Sequence, residues 1–395
     1  MVDIHGEVAP GFAKVRDAFA ANFEHLGEVG AAFALYQRGR KVVDLWGGLA
    51  DQESGRAWEE DTLQVVFSTT KGATAACAHL LAQRGLLDYD APVAEYWPEF
   101  KAAGKKDIPV RWVMSHRAGL PVVDATLTPQ QVYAWDPIVA ALAAQAPVWK
   151  PGTTHGYHAV TYGYLLGELI RRVSGKRVGE FLADEIAGPL GVEFYIGLPA
   201  AEAARVSTLL TIELGISGEQ RASLRDLDLD LLPENIRALA KAFLDPNSLS
   251  IRALNLCDPP FDFNDPDFHA AEVPAANGIT NARNLARLYA GLIGDVDGVR
   301  ILDDATIEAA RTEQSVGPDA ILIKDTRFGL GFMLDQPDVP LLGAGSFGHD
   351  GAGGSLGFAD PESGIAFGYV MNKMNANINA DPRADALIEA VRASL

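Results

Sequence analysis

The stretch FSTTKG, residues 67–72, places a serine and a lysine three positions apart, at Ser68 and Lys71. In a helix these two side chains lie on one face, one turn apart. A serine hydroxyl is a poor nucleophile unless a base takes its proton. A lysine can be that base only where burial or nearby positive charge lowers its pKa from about 10.4. The stretch therefore indicates either a catalytic pair or an ordinary helix start.

The residues after Lys71 favour a buried helix. They are rich in Ala and Leu as far as Gln83 and carry little charge, and Gly85 is suited to end the helix. A serine followed three residues later by a lysine is nevertheless expected about once by chance in a chain of this size. An N-cap serine beside a solvated lysine would give the same pattern. Other parts of the chain must therefore decide between the two interpretations.

Composition excludes several classes of partner. The chain has 395 residues, 48% hydrophobic and 22% charged, with a formal net charge of −19. This length fits one large domain or two lobes with a shared interface. Nucleic acid and anionic membranes are not expected partners, because proteins that bind them concentrate Lys and Arg on one face.

Cellular location is also addressed by the sequence. We expect neither a secretory signal nor a membrane span, since no basic start precedes an apolar run and no run of about 18 apolar residues occurs. Two cysteines, Cys77 and Cys257, are too few for a disulfide framework. We expect free thiols and a cytoplasmic protein; the oligomeric state is left open.

Strand patterns occur near both ends of the chain. Residues 31–36 and 41–48 predict a hairpin around a Gly-containing turn. Near the other end, 328–334, 354–360 and 365–372 predict strands, and the PESG turn joins the last two.

Helical patterns lie between these strands and at the end of the chain. Helices are predicted over 159–172 and 281–294, and from Asp381 and Pro382, which have good N-cap and N1 chemistry. The acidic segment 225–230 is interpreted as a solvated face or loop.

Two lobes follow from this arrangement. We predict an α/β fold of the α+β type, in which residues 1–66 and 275–395 form a lobe around an antiparallel sheet flanked by helices. Residues 67–274 are predicted to form an inserted, mostly helical lobe. The active site is expected in the cleft between the lobes.

Several further segments follow 67–72 in a recognisable order. They are GLLDYDAPVAEYWPEF (85–100), VRWVMSHRAGLP (110–121), WKPGTTHGYHAVTYGYLLGEL (149–169), VPAANGITNARNLARLYAGL (273–292) and FGHDGAGGSLGFADPESGIAFGYVMN (347–372). From about 30 to 375 the chain resembles the serine β-lactamase and penicillin-recognising superfamily, specifically class C β-lactamases and family VIII carboxylesterases. The resemblance implies a β-lactamase/transpeptidase-like fold and a serine hydrolase.

The first two motifs of the superfamily imply three catalytic residues. Ser68 and Lys71 match S-x-x-K, which makes Ser68 the acyl-accepting nucleophile and Lys71 its proton acceptor. The motif Y-x-N falls on 157–159, so Tyr157 is implied to exchange protons with Lys71. Ala159 replaces an asparagine that, in the lactamases, contacts the amide of the substrate side chain. The resemblance therefore favours an ester without such an amide.

The third motif, K-T-G, falls on 349–351 and implies the oxyanion hole. The backbone N–H groups of Ser68 and Ala352 are the implied donors. Gly351 would let the backbone pass close to the substrate, and His349, Gly351 and His155 are the candidate substrate contacts. His349 stands where the lactamases have a lysine, and this loss of a positive charge disfavours carboxylated antibiotics.

Two other motifs suggest different chemistry. GGSLG (353–357) matches G-x-S-x-G of the α/β-hydrolases, but that motif needs a helix after Ser355 and then an acid and a histidine. A strand is predicted there instead, and no histidine follows His349. His155 and His158 have a spacing that could suit a metal, but no third ligand is evident nearby. We expect neither a metal nor a cofactor, and we interpret His116 as structural.

The predicted function is hydrolysis of a small-molecule carboxylic ester through an acyl-enzyme on Ser68. Alternatives on the same chemistry are β-lactamase activity, D-peptidase or amidase-like activity, and acyl transfer to an alcohol or amine. The remaining alternative is a binding protein that kept the fold and lost the catalytic chemistry. Such proteins should have lost the serine, lysine or tyrosine, all of which are present here.

Overall fold

A broad antiparallel sheet contains strands from both ends of the chain. The computed structural model describes residues 2–211, 234–375 and 381–395. The strands in these ranges are β1 Ile4–Val8, β2 Gly30–Gln37, β3 Arg40–Asp51, β4 Arg56–Ala57, β5 Gln64–Val65, β6 Phe194–Tyr195, β7 Ile279–Thr280, β8 Ser315–Pro318, β9 Asp325–Phe328, β10 Met333–Leu334, β11 Phe347–Asp350, β12 Leu356–Asp360 and β13 Ile365–Met371. The large sheet has the order β1-β3-β2-β13-β12-β11-β10-β9-β8, with β4 beside β3, and a small sheet has the order β5-β7-β6.

The two ends of the chain meet where β2 pairs with β13 in the middle of the large sheet. Both faces of β2 are buried. Phe33 and Leu35 pack on one face with residues of the first and last helices, whereas Ala32 and Ala34 belong to the larger core on the other face. The small alanines allow a helix, Ala282–Ile293, to contact β2 and β13 there.

The helices lie on both faces of the sheet and to one side of it. The described α-helices are Ala13–His25, Thr70–Gln83, Val93–Tyr96, Val110–Met114, Pro129–Tyr133, Asp136–Ala144, Thr161–Ser174, Val178–Leu182, Gly188–Leu190, Glu234–Leu244, Leu249–Leu254, Pro266–Ala270, Ala282–Ile293, Asp304–Arg311 and Pro382–Arg392. Short 3₁₀ segments cover Pro98–Gly104 and Ala200–Arg205, and a π turn covers Ala183–Ala187. Among these described helices, none is long and apolar enough to cross a membrane.

The helix Thr70–Gln83 is buried, as its composition predicts. Every residue from Thr70 to Leu81 is buried, and the helix packs against Thr161–Ser174 and Val178–Leu182. Gly85, with a φ of 70°, follows the helix end and confirms the predicted stop. Lys71 is the charged residue in this buried part, so its environment needs a chemical explanation.

Most sequence-based element predictions are confirmed. The first hairpin is β2 and β3, and the turn 361–364 joins β12 to β13. The three predicted helices are present as Thr161–Ser174, Ala282–Ile293 and Pro382–Arg392, the last with Asp381 as its N-cap. Both cysteines are free and buried.

The prediction of one strand over 328–334 is wrong. β9 ends at Phe328, and β10 begins at Met333 and runs antiparallel to β9. Gly331 lies in the turn between them with a φ of 82°, and a side chain there would overlap Ala75 and Tyr162. The alternating apolar pattern of FGLGFML therefore reflects a tight turn against the buried helix and not a continuous strand.

The predicted α/β architecture with an antiparallel sheet is confirmed by the strand order and by the helices around it. The boundaries of the two lobes, 1–66 with 275–395 and 67–274, stay a prediction. The acidic segment 225–230 lies outside the described residues.

Candidate active site

Ser68 lies in a tight turn between β5 and the buried helix. The preceding Phe67 has a φ of 45°, a strained value for a residue with a side chain. The segment before β7 fixes this turn: Val66 N–H donates to the Gly278 carbonyl at 2.8 Å, and Gly278 N–H donates to Thr70 Oγ1 at 2.7 Å. Thr70 Oγ1 in turn donates to the Phe67 carbonyl. These bonds hold Ser68 at the wall of a cavity.

Lys71 is fully buried and its amine contacts three oxygens. Nζ lies 3.0 Å from Ser68 Oγ, 2.6 Å from the Ala159 carbonyl oxygen and 2.9 Å from the Ala275 carbonyl oxygen. Burial lowers the pKa of Lys71 well below its usual range, and the charge of Asp350 offsets this only in part. The environment therefore favours a neutral amine beside the serine hydroxyl.

Tyr157 reaches the same point from the loop before the helix Thr161–Ser174. Its side chain lines the cavity together with Ser68, and Lys71 Nζ lies 4.7 Å from its ring centroid. Burial first, and then the charge of Asp350, raise the pKa of Tyr157 well above its usual range. The phenol is therefore neutral at ordinary pH and can donate a proton.

The position of Tyr157 is set by groups behind it. Its backbone N–H donates to Asp319 Oδ1 at 3.0 Å. Its ring stacks on Phe328, with centroids 6.1 Å apart, and contacts His116 at 4.9 Å. His116 Nδ1 accepts a bond from the His158 backbone N–H at 3.1 Å. His116 thus has the structural role expected of it.

The loop after β11 lies opposite Ser68. A side chain at Gly351 would overlap Ser355 Oγ and the Val66 carbonyl, so glycine is needed here for close packing on the nucleophile turn. Ala352, the next residue, lines the cavity with Ser68. Within the described residues, neither the Ser68 nor the Ala352 backbone N–H donates to a protein group. Both are free to bind an oxyanion.

His349 has one ring nitrogen without a hydrogen-bond partner in the part of the chain that the structure describes. Its Nδ1 lies 2.7 Å from the Asp350 carbonyl, which can only accept, so Nδ1 carries the proton. In the neutral imidazole Nε2 is then the acceptor, and it is buried without a partner among the described residues. The side chain lines the cavity, with its ring centroid 5.9 Å from that of Tyr157.

These groups share one cavity of about 480 Å³. Apolar side chains form part of its wall, including Phe243, Leu254, Leu322, Met333 and Ile388. Polar side chains also line it, among them Tyr157, His349 and Asp350. A cavity of this volume that combines apolar side chains with polar groups is typical of a site for a small organic ligand.

Two of the singled-out residues lie elsewhere or have other partners. His155 is not part of the cavity wall; its Nε2 is 2.9 Å from Thr326 Oγ1. Ser355 is fully buried and donates to the Val66 carbonyl at 2.9 Å, with β12 and not a helix after it. Among the described residues, no group of three or more His, Cys, Asp or Glu side chains is placed to hold a metal.

A family model described as β-lactamase matches residues 19–392, nearly the whole chain. The chain belongs to the β-lactamase family. This confirms the resemblance drawn from the motifs and the β-lactamase/transpeptidase-like fold.

Individual relatives of this β-lactamase-family protein point the same way. It is 36% identical over 377 residues to "Esterase/beta-lactamase LipL" of Mycobacterium tuberculosis, a match that covers 94% of this chain and 83% of LipL. A family VIII carboxylesterase structure is similar with a TM-score of 0.84 and 40% identity, and a penicillin-binding protein homologue from Caulobacter crescentus with 0.85 and 38%; each match covers 100% of both chains. This protein is therefore a serine hydrolase of the β-lactamase family.

Proposed function

We propose that this serine hydrolase is a carboxylesterase that forms an acyl-enzyme on Ser68. The observation that carries the proposal is the set of three oxygens around Lys71 Nζ. A neutral amine has two N–H donors and one lone pair. The carbonyls of Ala159 and Ala275 can only accept and take both donors, which leaves the lone pair for the hydroxyl proton of Ser68.

Acylation begins when Ser68 Oγ attacks the ester carbonyl carbon and its proton moves to Lys71 Nζ. The carbonyl oxygen becomes an oxyanion that the N–H groups of Ser68 and Ala352 stabilise. The bond to the leaving oxygen then breaks. Tyr157 donates its proton to that oxygen and takes one from the Lys71 ammonium, so an alcohol leaves and Lys71 is neutral again.

Deacylation reverses these transfers with water as the acceptor of the acyl group. Water attacks the acyl carbon and gives its proton, through Tyr157, to Lys71. The bond to Ser68 Oγ breaks, the Lys71 ammonium returns its proton to Ser68 Oγ, and the acid leaves with Lys71 neutral again. The unpartnered Nε2 of His349 is the proposed acceptor for a hydrogen bond from this water or from the substrate.

The choice of an ester over a β-lactam rests on two positions. Ala159 has no side-chain amide to hold an acylamide, and His349 supplies no fixed positive charge for a carboxylate. Asp350, beside His349 in the cavity wall, adds a negative charge. The esterase relatives support this choice, whereas LipL and the penicillin-binding protein homologue keep β-lactamase activity as the second candidate.

A substrate comparison tests the proposal. Short-chain p-nitrophenyl esters and a chromogenic cephalosporin are offered to the wild type and to Ser68→Ala. We expect ester turnover to exceed cephalosporin turnover, and Ser68→Ala to lose both. Fast cephalosporin turnover with slow ester cleavage would favour the β-lactamase. Ester turnover that survives in Ser68→Ala would contradict the assigned nucleophile.

A further inference from the structure

A buried arginine lies directly behind the loop that carries Ala352. Arg383, in the first turn of the last helix, has 1% of its surface exposed. All five of its N–H groups have acceptors. Nε and Nη2 donate to Asp381 at 3.0 and 2.7 Å, and Nη1 donates to Glu28 at 3.0 Å and to the Lys373 carbonyl at 2.9 Å.

The fifth bond reaches the active-site loop. Nη2 donates to the carbonyl of Gly353 at 2.7 Å, and Gly353 is the residue after Ala352. The loop fits closely against this guanidinium: a side chain at Gly354 would overlap Asp381 Oδ2 and lie 2.8 Å from Arg383 Nη2. Gly354 has a φ of 130°, which other residues rarely adopt.

We propose that Arg383 is a positioning residue that holds the Ala352 backbone N–H at the oxyanion. The inference rests on the proposed function, because it assigns a role to the oxyanion hole of that reaction. A rigid, planar guanidinium makes all five of these bonds at once, whereas a lysine ammonium has only three donors. The Gly353–Gly354 peptide accepts this bond at its oxygen and donates its own N–H to the Gly351 carbonyl at 3.0 Å. The Gly351 carbonyl belongs to the peptide that carries the Ala352 N–H, so holding one peptide limits the orientation of the other.

Arg383 does not act on the substrate itself. Its donors are all used by protein acceptors, and the side chain is not part of the cavity wall. Its effect must therefore pass through the loop. A loosened loop should weaken bonds made only to the tetrahedral oxyanion, and it should affect ground-state binding much less.

Arg383→Lys tests this inference because it keeps the charge that balances Glu28 and Asp381. We expect kcat for p-nitrophenyl esters to fall about 10- to 100-fold, since small displacements of an oxyanion donor have effects of that size. KM should change less than about threefold. The inhibition constant of a boronic acid, whose Ser68 adduct places an anionic oxygen in the same hole, should rise in parallel with the loss of kcat.

The matched control is Arg392→Lys in the same helix, whose guanidinium bonds the Leu341 carbonyl away from the loop. Arg392→Lys should leave kcat and the inhibition constant of the boronic acid unchanged. If Arg383→Lys does not fold, the variant E28Q/D381N/R383M removes every charge of the cluster together. Such neutral replacements are often tolerated where loss of one partner is not.

Two outcomes overturn the inference. The first is a folded variant with kcat and the boronic acid constant within twofold of the wild type. The second is a fall in kcat while the boronic acid constant stays the same. Labelling of the wild type by a phosphonate at Ser68 is measured separately, so failure of the proposed function is recognised independently of Arg383.

Discussion

Lys71→Ala is expected to lower kcat/KM for p-nitrophenyl esters by about 10²- to 10⁴-fold, the usual contribution of a positioned general base. The variant leaves Ser68 without an acceptor for its proton, because Tyr157 is a neutral phenol whose pKa is raised by burial and by Asp350. Initial rates on the purified variant, corrected for the folded fraction, provide the measurement.

The pH dependence of the wild-type rate tests the same role of Lys71, because the direction of the change can be predicted. Only the neutral amine of Lys71 can accept the proton, so the rate should rise with pH through the pKa of Lys71 and then level off. Burial lowers that pKa well below its usual range. The rise should therefore lie far below pH 10, whereas an exposed lysine would place it near its ordinary pKa of about 10.4.

Lys105 supplies a matched control for Lys71. It is also fully buried, but its amine donates to three backbone carbonyls, those of Ala102, Ala143 and Gln145, and to no hydroxyl of a described residue. Lys105→Ala should reduce stability and leave the turnover of folded protein unchanged. Equal losses of turnover in both variants, or activity of Lys71→Ala within tenfold of the wild type, would contradict the assigned base.

Tyr157→Phe is expected to lower kcat by a similar factor, about 10² to 10⁴. The ring and its contacts with Phe328 and His116 are kept, and only the hydroxyl is lost. Without it, the proton on Lys71 has no path to the leaving oxygen. The loss in kcat/KM, which reports acylation, should be smaller for p-nitrophenyl esters than for alkyl esters of the same acid, because p-nitrophenolate leaves with little protonation. Comparing the two ester classes measures this difference.

Tyr162 is the corresponding control. Its hydroxyl is buried without a hydrogen-bond partner among the described residues, and Lys71 Nζ lies 5.9 Å from its ring centroid. Tyr162→Phe should have nearly wild-type turnover on both ester classes. If Tyr157→Phe behaves like Tyr162→Phe, the proton path assigned to Tyr157 is wrong.

The sequence predicted those parts of the fold that local patterns encode. The hairpin of β2 and β3 and the helix Ala282–Ile293 follow from residue periodicity and turn or cap residues. The segment 328–334 could not be read in this way, because alternating apolar residues and glycines are shared by strands and tight turns. Only the buried helix against Gly331 decides between them.

For the candidate site, motif order identified residues that the fold then brings together, including Ser68, Lys71 and Tyr157. Their supports were not identified. Asp319 follows a proline in a turn-forming segment, which indicates an Asx turn, but nothing local indicates that it binds the Tyr157 N–H 162 residues away. Arg383 likewise reads as an ordinary first-turn helix residue, since its partners Glu28 and Gly353 are distant in sequence.

Gly351 illustrates a partial success. The sequence indicated that a side chain could not be accommodated there, but the expected reason was the substrate. The structure gives a different one, since the close neighbours are Ser355 Oγ and the Val66 carbonyl of the nucleophile turn. The motif indicates that glycine is needed at this position, but it does not identify the atoms that leave no room for a side chain.

The most direct test of the central claim is the site of covalent labelling. The protein is treated with an alkyl p-nitrophenyl phosphonate, digested, and mapped by mass spectrometry. We predict one added phosphonyl group on the peptide that contains Ser68, together with loss of ester hydrolysis, and no label on that peptide in Ser68→Ala. A label on the peptide with Ser355 instead, or complete inactivation without a label on Ser68, would contradict the account.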